Sequence, residues 1–555
     1  MRDAIASGSR TAARLPGPRR LALAALLVLP AAGAWAAPAS PAAGERLYRE
    51  GVLPSGRPLR GEREGGVGVE GAAAACATCH RRSGLGSWEG QLVIPPIIGR
   101  YLFRPGARNV EDPELPHVQG YVPRRDAYTD ATLARAIREG KDPQGRALGF
   151  VMPRYRLDDA TMASLVAYLR GLTTGAVPGV ERDTLHFATV ITPDADPIAR
   201  RGMLDVLHQF FADKNAGYRG ESPPLQSSRG VMYRVNRKWT LHVWELSGPP
   251  EGWEQQLSHH LAATPVFAVI SGIGGRTWAP VHRFCERAAL PCLLPNVEAP
   301  VVSERDFYPV YFSRGVLLEA DLIARELQAR RHDLGVRRVV SLFREGDVGA
   351  EAARALQAAA AAAGLEAASR VVSPGPARQR LAEALGDSRA GDAVVLWLRP
   401  HDLAALPAPP AGVTAVYASG LMGDLEHAPL PPAWRGTARL TYPFDLPERR
   451  KVRMSFPLGW FAVRHIPVVD ERVQTDTYLA CVILSETVGH MLDSFVRDYL
   501  VERVEALLSH RQVNGYYPRL GLAPGQRFAS KGGYVVRFAQ ADGTQVIADG
   551  EWTVP

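Results

Sequence analysis

From about residue 184 onward the chain alternates short apolar runs with longer segments whose apolar residues recur every three or four positions. The runs at 187–191, 241–246, 266–271, 292–294, 310–312, 339–343, 393–398 and 414–418 are bounded by Gly, Pro or polar clusters, which predicts strands. The segments 198–211, 252–261, 279–289, 315–330, 350–363 and 377–385 carry the period of amphipathic helices. Strands alternating with helices of this length predict parallel sheets with both faces covered. A long helical stretch at 470–510 follows, then a strand-rich tail at 517–555 with Asp542-Gly543 at a hairpin turn.

Residues 37–172 have a different texture. Helices are predicted over 43–50, 129–139 and 158–172. Thr129 or Asp130 caps the second, and Met162, Leu165, Val166 and Leu169 share one face of the third. The segment Thr173–Arg182 is rich in Gly, Pro and Thr and reads as a linker. The expected organisation is multidomain: a small all-α domain at 37–172, a linker at 173–183 and an α/β domain with parallel sheets at 184–555.

The most specific chemistry lies in the first region. Cys76-Ala77-Thr78-Cys79-His80 is the CxxCH pattern of c-type haem attachment. Two thiols at this spacing form thioethers to one haem, and His80 supplies an axial imidazole. With one such motif, one covalent haem c is expected. Electron transfer calls for a second axial ligand. Met152, on the loop Gly149–Pro153 before the last predicted helix, offers a soft thioether that raises the potential. Met162 and His117 are the alternatives, the first assigned to the packed face of its helix.

Haem of this kind is attached outside the cytoplasm, and the N-terminus fits export. Arg10, Arg14, Arg19 and Arg20 precede an apolar stretch at 21–33, and Ala34-Trp35-Ala36 is a cleavage signal. Residues 1–36 therefore read as a signal peptide cleaved near Ala36, which predicts a periplasmic mature chain without a transmembrane segment. The formal charge is +8, of which the signal contributes five arginines and one aspartate, leaving +4. Such a balance gives no case for nucleic-acid binding. Cys285 and Cys292 are read as two buried thiols, with a local disulfide as the alternative.

Residues 42–172 resemble class I cytochromes c of the bacterial dehydrogenase- and oxidase-associated type. Besides CxxCH, Gly44-x-x-x-Tyr48 resembles that family's first helix, Leu165 and Tyr168 its last helix, and Met152-Pro153 its ligand loop. The resemblance implies close crossing of the two helices at Gly44. It also implies a proline carbonyl, of Pro95 or Pro96, that accepts the axial histidine's N–H. Residues 184–545 resemble type I periplasmic binding proteins, the family of branched-chain amino-acid receptors. The stretches 266–296, 308–356 and 518–538 carry that likeness. It implies two α/β lobes closing on a small ligand. The ligand-contact candidates are Ser271, Gly274 and Arg276, on a strand-to-helix loop, with Asn296 and Glu298.

Three functions follow from this reading. The first is one-electron transfer by a non-catalytic carrier serving a periplasmic dehydrogenase or oxidase. The second is a ligand receptor or sensor in which the haem domain is accessory. The third is a scaffold whose α/β domain docks the cytochrome onto its redox partner. Neither a nucleophile elbow nor HExxH is present in the sequence.

Overall fold

The computed structural model describes residues 39–89, 92–104, 125–172, 175–217, 225–226, 232–233, 237–303, 305–424, 430–491, 494–510 and 515–555. The segment expected to be an export signal and His117 lie outside these residues. Among the described residues, no helix is long and apolar enough to cross a membrane.

Helices α1 (Pro41–Glu50), α2 (Cys76–His80), α3 (Asp130–Glu139) and α4 (Asp159–Gly171) frame the N-terminal region. Side-chain caps start three of them. Ser40 accepts from the Ala43 N–H, Thr129 and Thr132 form a reciprocal capping box, and Asp158 accepts from the Thr161 N–H. The region depends on α1 crossing α4. A β-carbon on Gly44 would stand 2.2 Å from the Ser164 carbonyl oxygen, so only glycine permits the approach. One turn on, the Tyr48 and Tyr168 rings meet at 5.3 Å.

The region is not all-α as expected. Arg60–Glu62 pairs antiparallel with Gly68–Glu70 and with Arg154–Tyr155, and Ser87–Glu89 pairs with Leu92–Ile94. The sequence between the helices is too broken by glycine to continue a helix. Gly65 and Gly66 both adopt positive φ at the reversal between the first two strands. The strands are only two or three residues long, which leaves no periodic signal.

The rest of the chain forms two α/β lobes. In lobe 1 the strand order is Pro309–Val310, Cys292–Leu293, Ala268–Ile270, Thr184–Ile191 and Lys238–Glu245, all parallel. In lobe 2 the parallel strands are Glu366–Val372, Arg338–Arg344, Asp392–Trp397, Val413–Ser419 and Ala438–Tyr442, in that order. Tyr534–Phe538 and Val546–Ala548 extend this sheet antiparallel, and Asp542-Gly543 falls in the loop between them. The predicted strand and helix order is largely found. Glu366–Val372 was not predicted, because an edge strand with alternating exposure carries little apolar signal. The helix Pro447–Val463 was also unforeseen, since charges crowd its start and Pro457 interrupts its pattern.

The expected helical stretch at 470–510 is two helices, α5 (Glu471–Met491) and α6 (Arg497–His510). Helix α5 packs on the lobe 1 helix Pro197–Ala216. Cys285 and Cys292 are buried in lobe 1 as free thiols. Of the residues expected to form a linker, the segment at 175–183 lies against lobe 1. Val180 bridges Leu185, and Gly179 fits so closely on Val266 and Phe267 that a β-carbon would stand 2.1 Å from the Phe267 nitrogen.

The Gly44 crossing gives a direct test. Gly44→Val should destabilise the N-terminal region by about 2 kcal/mol or more, as overpacking against backbone does. Denaturant unfolding of the haem-loaded chain, followed at the haem absorbance, would measure it.

Candidate functional site

A single turn of 3-10 helix at Gly71–Ala74 leads through an extended Ala75 into α2. The Thr78 hydroxyl donates back to the Ala72 carbonyl at 2.8 Å and braces this entry. Cys76 and Cys79 are one helical turn apart, so both side chains reach one side of α2. They line a cleft together with His80, Ile94, Met152 and Leu165, and its walls are mainly apolar.

His80 is buried, and its Nδ1 lies 2.8 Å from the Pro95 carbonyl oxygen. A carbonyl only accepts, so Nδ1 carries the proton and Nε2 keeps its lone pair. Of the two prolines, Pro95 is the partner. Burial holds the imidazole pKa below its ordinary value, although the Pro95 bond acts in the other direction, so the ring is neutral and able to ligate. Met152 lines the same cleft from a tight turn in which its N–H donates to the Gly149 carbonyl at 3.0 Å. The strand that follows is tied to the start of α2, since the Tyr155 hydroxyl donates to the Ala74 carbonyl at 2.8 Å. Met162 instead packs in the buried core. Two thiols, an imidazole Nε2 and a thioether on apolar walls make a donor set that fits a haem.

The five expected ligand contacts do not converge on one point. Ser271 is fully buried at positive φ, and its hydroxyl lies 3.3 Å from Thr477 Oγ1 on α5. Asn296 Nδ2 donates to Ser271 Oγ at 3.0 Å and to Thr477 Oγ1 at 3.2 Å, while its Oδ1 is buried without a partner. Gly274 is explained by packing, because a β-carbon would stand 2.8 Å from the Trp278 ring. Arg276 already has a carboxylate, Asp194, 3.7 Å from its Nε.

Glu298 takes part in a bridge between lobes. Its two carboxylate oxygens accept from Arg399 of lobe 2 at 2.9 and 2.6 Å, and Arg399 also donates to Asp347 at 2.9 and 2.7 Å. Burial alone would raise the Asp347 carboxyl, but the bonds and charge of Arg399 hold it below the ordinary value. Sequence reasoning missed Arg399 and Thr477. Arg399 had a signal, since it directly follows a predicted strand at its C-terminal end, where such sheets carry functional groups. Thr477 lies mid-helix and had none.

The bridge is acid-labile by its own electrostatics. A depressed carboxylate stabilises the fold fully above its unfolded pKa, about 4, and the contribution is lost as pH falls through the folded value. Stability should therefore decline below about pH 4 in the wild type, and Arg399→Gln should be less stable at neutral pH with a shallower acid decline. Urea midpoints between pH 3 and 7 would show both slopes.

The cytochrome c family model matches residues 68–173. No curated protein matches the chain. Among solved structures, a substrate-binding periplasmic protein from Ralstonia solanacearum is similar at 16% identity and a TM-score of 0.49, covering 66% of this chain and 99% of that one. A fatty acid ABC transporter substrate-binding protein from Thermomonospora curvata is similar at 14% identity and a TM-score of 0.47, covering 69% and 95%. A solute-binding protein from R. palustris, in complex with benzoate, is similar at 13% identity and a TM-score of 0.47, covering 66% and 96%. The CxxCH helix, the apolar cleft and the family match together make the N-terminal region a cytochrome c domain, joined in one chain to two α/β lobes.

Proposed function

We propose that the protein is a periplasmic one-electron carrier. One haem c is held by thioethers to Cys76 and Cys79, with His80 and Met152 as axial ligands. The observation that carries this reading is the lining of one apolar cleft by those four residues. When bound, a haem with both axial positions filled by side chains exchanges single electrons and offers no coordination site for substrate. Pro95 fixes the His80 ring, the apolar walls exclude water, and the Gly149–Pro153 turn presents the thioether. The redox partner is proposed to be a dehydrogenase or oxidase of the same compartment.

A small-ligand receptor role for the α/β lobes is the second reading. The unpaired, buried Oδ1 of Asn296 favours it, because such an acceptor is costly unless a donor reaches it. The bridge of Arg399 to Glu298 favours the docking alternative, since it joins the lobes through their own side chains.

The axial assignment is tested on the haem-loaded full chain. The oxidised protein should show the weak near-infrared band of methionine-to-ferric charge transfer. Met152→Ala should abolish that band and lower the midpoint potential. Persistence of both would exclude Met152, and a spectral change on replacing His117 would point to that residue instead.

A further inference from the structure

Immediately after His80 the chain meets the second unit. Helix α6 turns Asp498, Glu502 and Glu505, at spacings of four and three residues, toward the loop Arg81–Ser83 and the side chain of Arg49. Ser83 is fully buried against this face. Its N–H donates to Glu502 Oε1 at 2.9 Å and its hydroxyl to Oε2 at 2.6 Å. Arg81 bonds Glu505, which Arg527 also bonds. Asp498 accepts from Arg49 at 3.4 Å and from the Tyr308 hydroxyl at 2.5 Å, and Arg82 stacks on the Phe307 ring at 4.4 Å.

The three carboxylates are not equivalent. Asp498 and Glu505 are bonded to guanidinium groups, whereas Glu502 is bonded through both oxygens to uncharged donors of Ser83. The charged and titratable groups acting on Glu502 are Arg81 and Tyr48 from the haem unit, with Asp498 and Tyr499 from its own helix. The Tyr48 hydroxyl donates to the Arg81 carbonyl at 2.7 Å, which fixes the loop between Glu502 and His80. Burial pushes the Glu502 carboxyl up to about 7, while the Arg81 charge and the Ser83 bonds act to lower it. It therefore changes charge in the neutral range.

We propose that Glu502 is a redox-linked proton site, through which the α/β unit sets the pH dependence of the haem potential. The proposal rests on the haem reading above. When an external one-electron donor reduces the ferric haem, the local positive charge falls by one, and the Glu502 carboxylate takes a proton from solvent water. Oxidation by the acceptor returns electron and proton together. Glu502 acts on the haem through the field and the Ser83 loop, as a positioning residue. The sign follows: a negative Glu502 favours the ferric state, so the potential falls as pH rises through the range where the carboxyl ionises.

The test uses the haem-loaded full chain and spectroelectrochemical titration from pH 5 to 9. The wild-type potential should fall around neutral pH, with a limiting slope of about 59 mV per tenfold change in proton activity for a one-proton, one-electron couple. Glu502→Gln, which mimics the protonated acid, should remove that slope and hold the potential at the acid-side value. Ser83→Ala should keep the slope but move its midpoint to higher pH, because a bond to the charged form is lost. Oxidised-minus-reduced infrared spectra of the wild type should show a protonated-carboxyl band on reduction, which needs no variant. A Glu502→Gln protein that keeps the wild-type slope overturns the proposal, as does a wild-type infrared difference without that band. A chain that takes up no covalent haem refutes the carrier reading instead.

Discussion

The docking of Arg81, Arg82 and Ser83 onto α6 is the interaction on which the organisation of this chain depends. Without it the structure would be a haem unit tethered to two lobes. With it, the residues that follow His80 pack on α6. The contact is polar and buried, and every carboxylate in it has a partner. Removing one member of such a buried pair is strongly destabilising, on the order of 3–5 kcal/mol, because the other charge is left uncompensated.

The lobes divide the labour. Lobe 1 carries the haem unit, the packed 175–183 segment and helices α5 and α6. Lobe 2 meets lobe 1 at the Arg399 bridge. Any hinge motion of this protein moves lobe 2 against a body that already includes the haem unit. Helices α5 and α6 pack on each other.

The cleft lined by Cys76, Cys79, His80 and Met152 was legible in the sequence because its signals are local. CxxCH occupies five consecutive residues, and the methionine loop is marked by Pro153 before an amphipathic helix. The helix crossing was legible for the same reason, through Gly44 and Tyr48. The alternation of strands and helices also read through, since parallel strands buried on both faces are apolar without interruption. What did not read through was anything set by distant pairing. The short strands of the N-terminal region exist only as partners of one another. Asn296 and Ser271 were read as ligand contacts, and in the structure they bond each other and Thr477, which comes from a helix some two hundred residues away, a pairing to which periodicity has no access. The acidic face of α6 reads as an ordinary solvated stripe until the loop that covers it is known.

Ser83 and Glu502 are 419 residues apart in the chain. The N-terminal region precedes its docking partner in synthesis by most of the length of the protein. Until α6 arrives, the surface of Arg81, Arg82 and Ser83 faces water. An apolar docking surface would have to wait in that state as an exposed sticky patch, open to aggregation. A surface of guanidinium and hydroxyl groups waits well hydrated, and surrenders that hydration only when the matching carboxylates are folded. The polar character of the junction is thus suited to the order in which the chain is made.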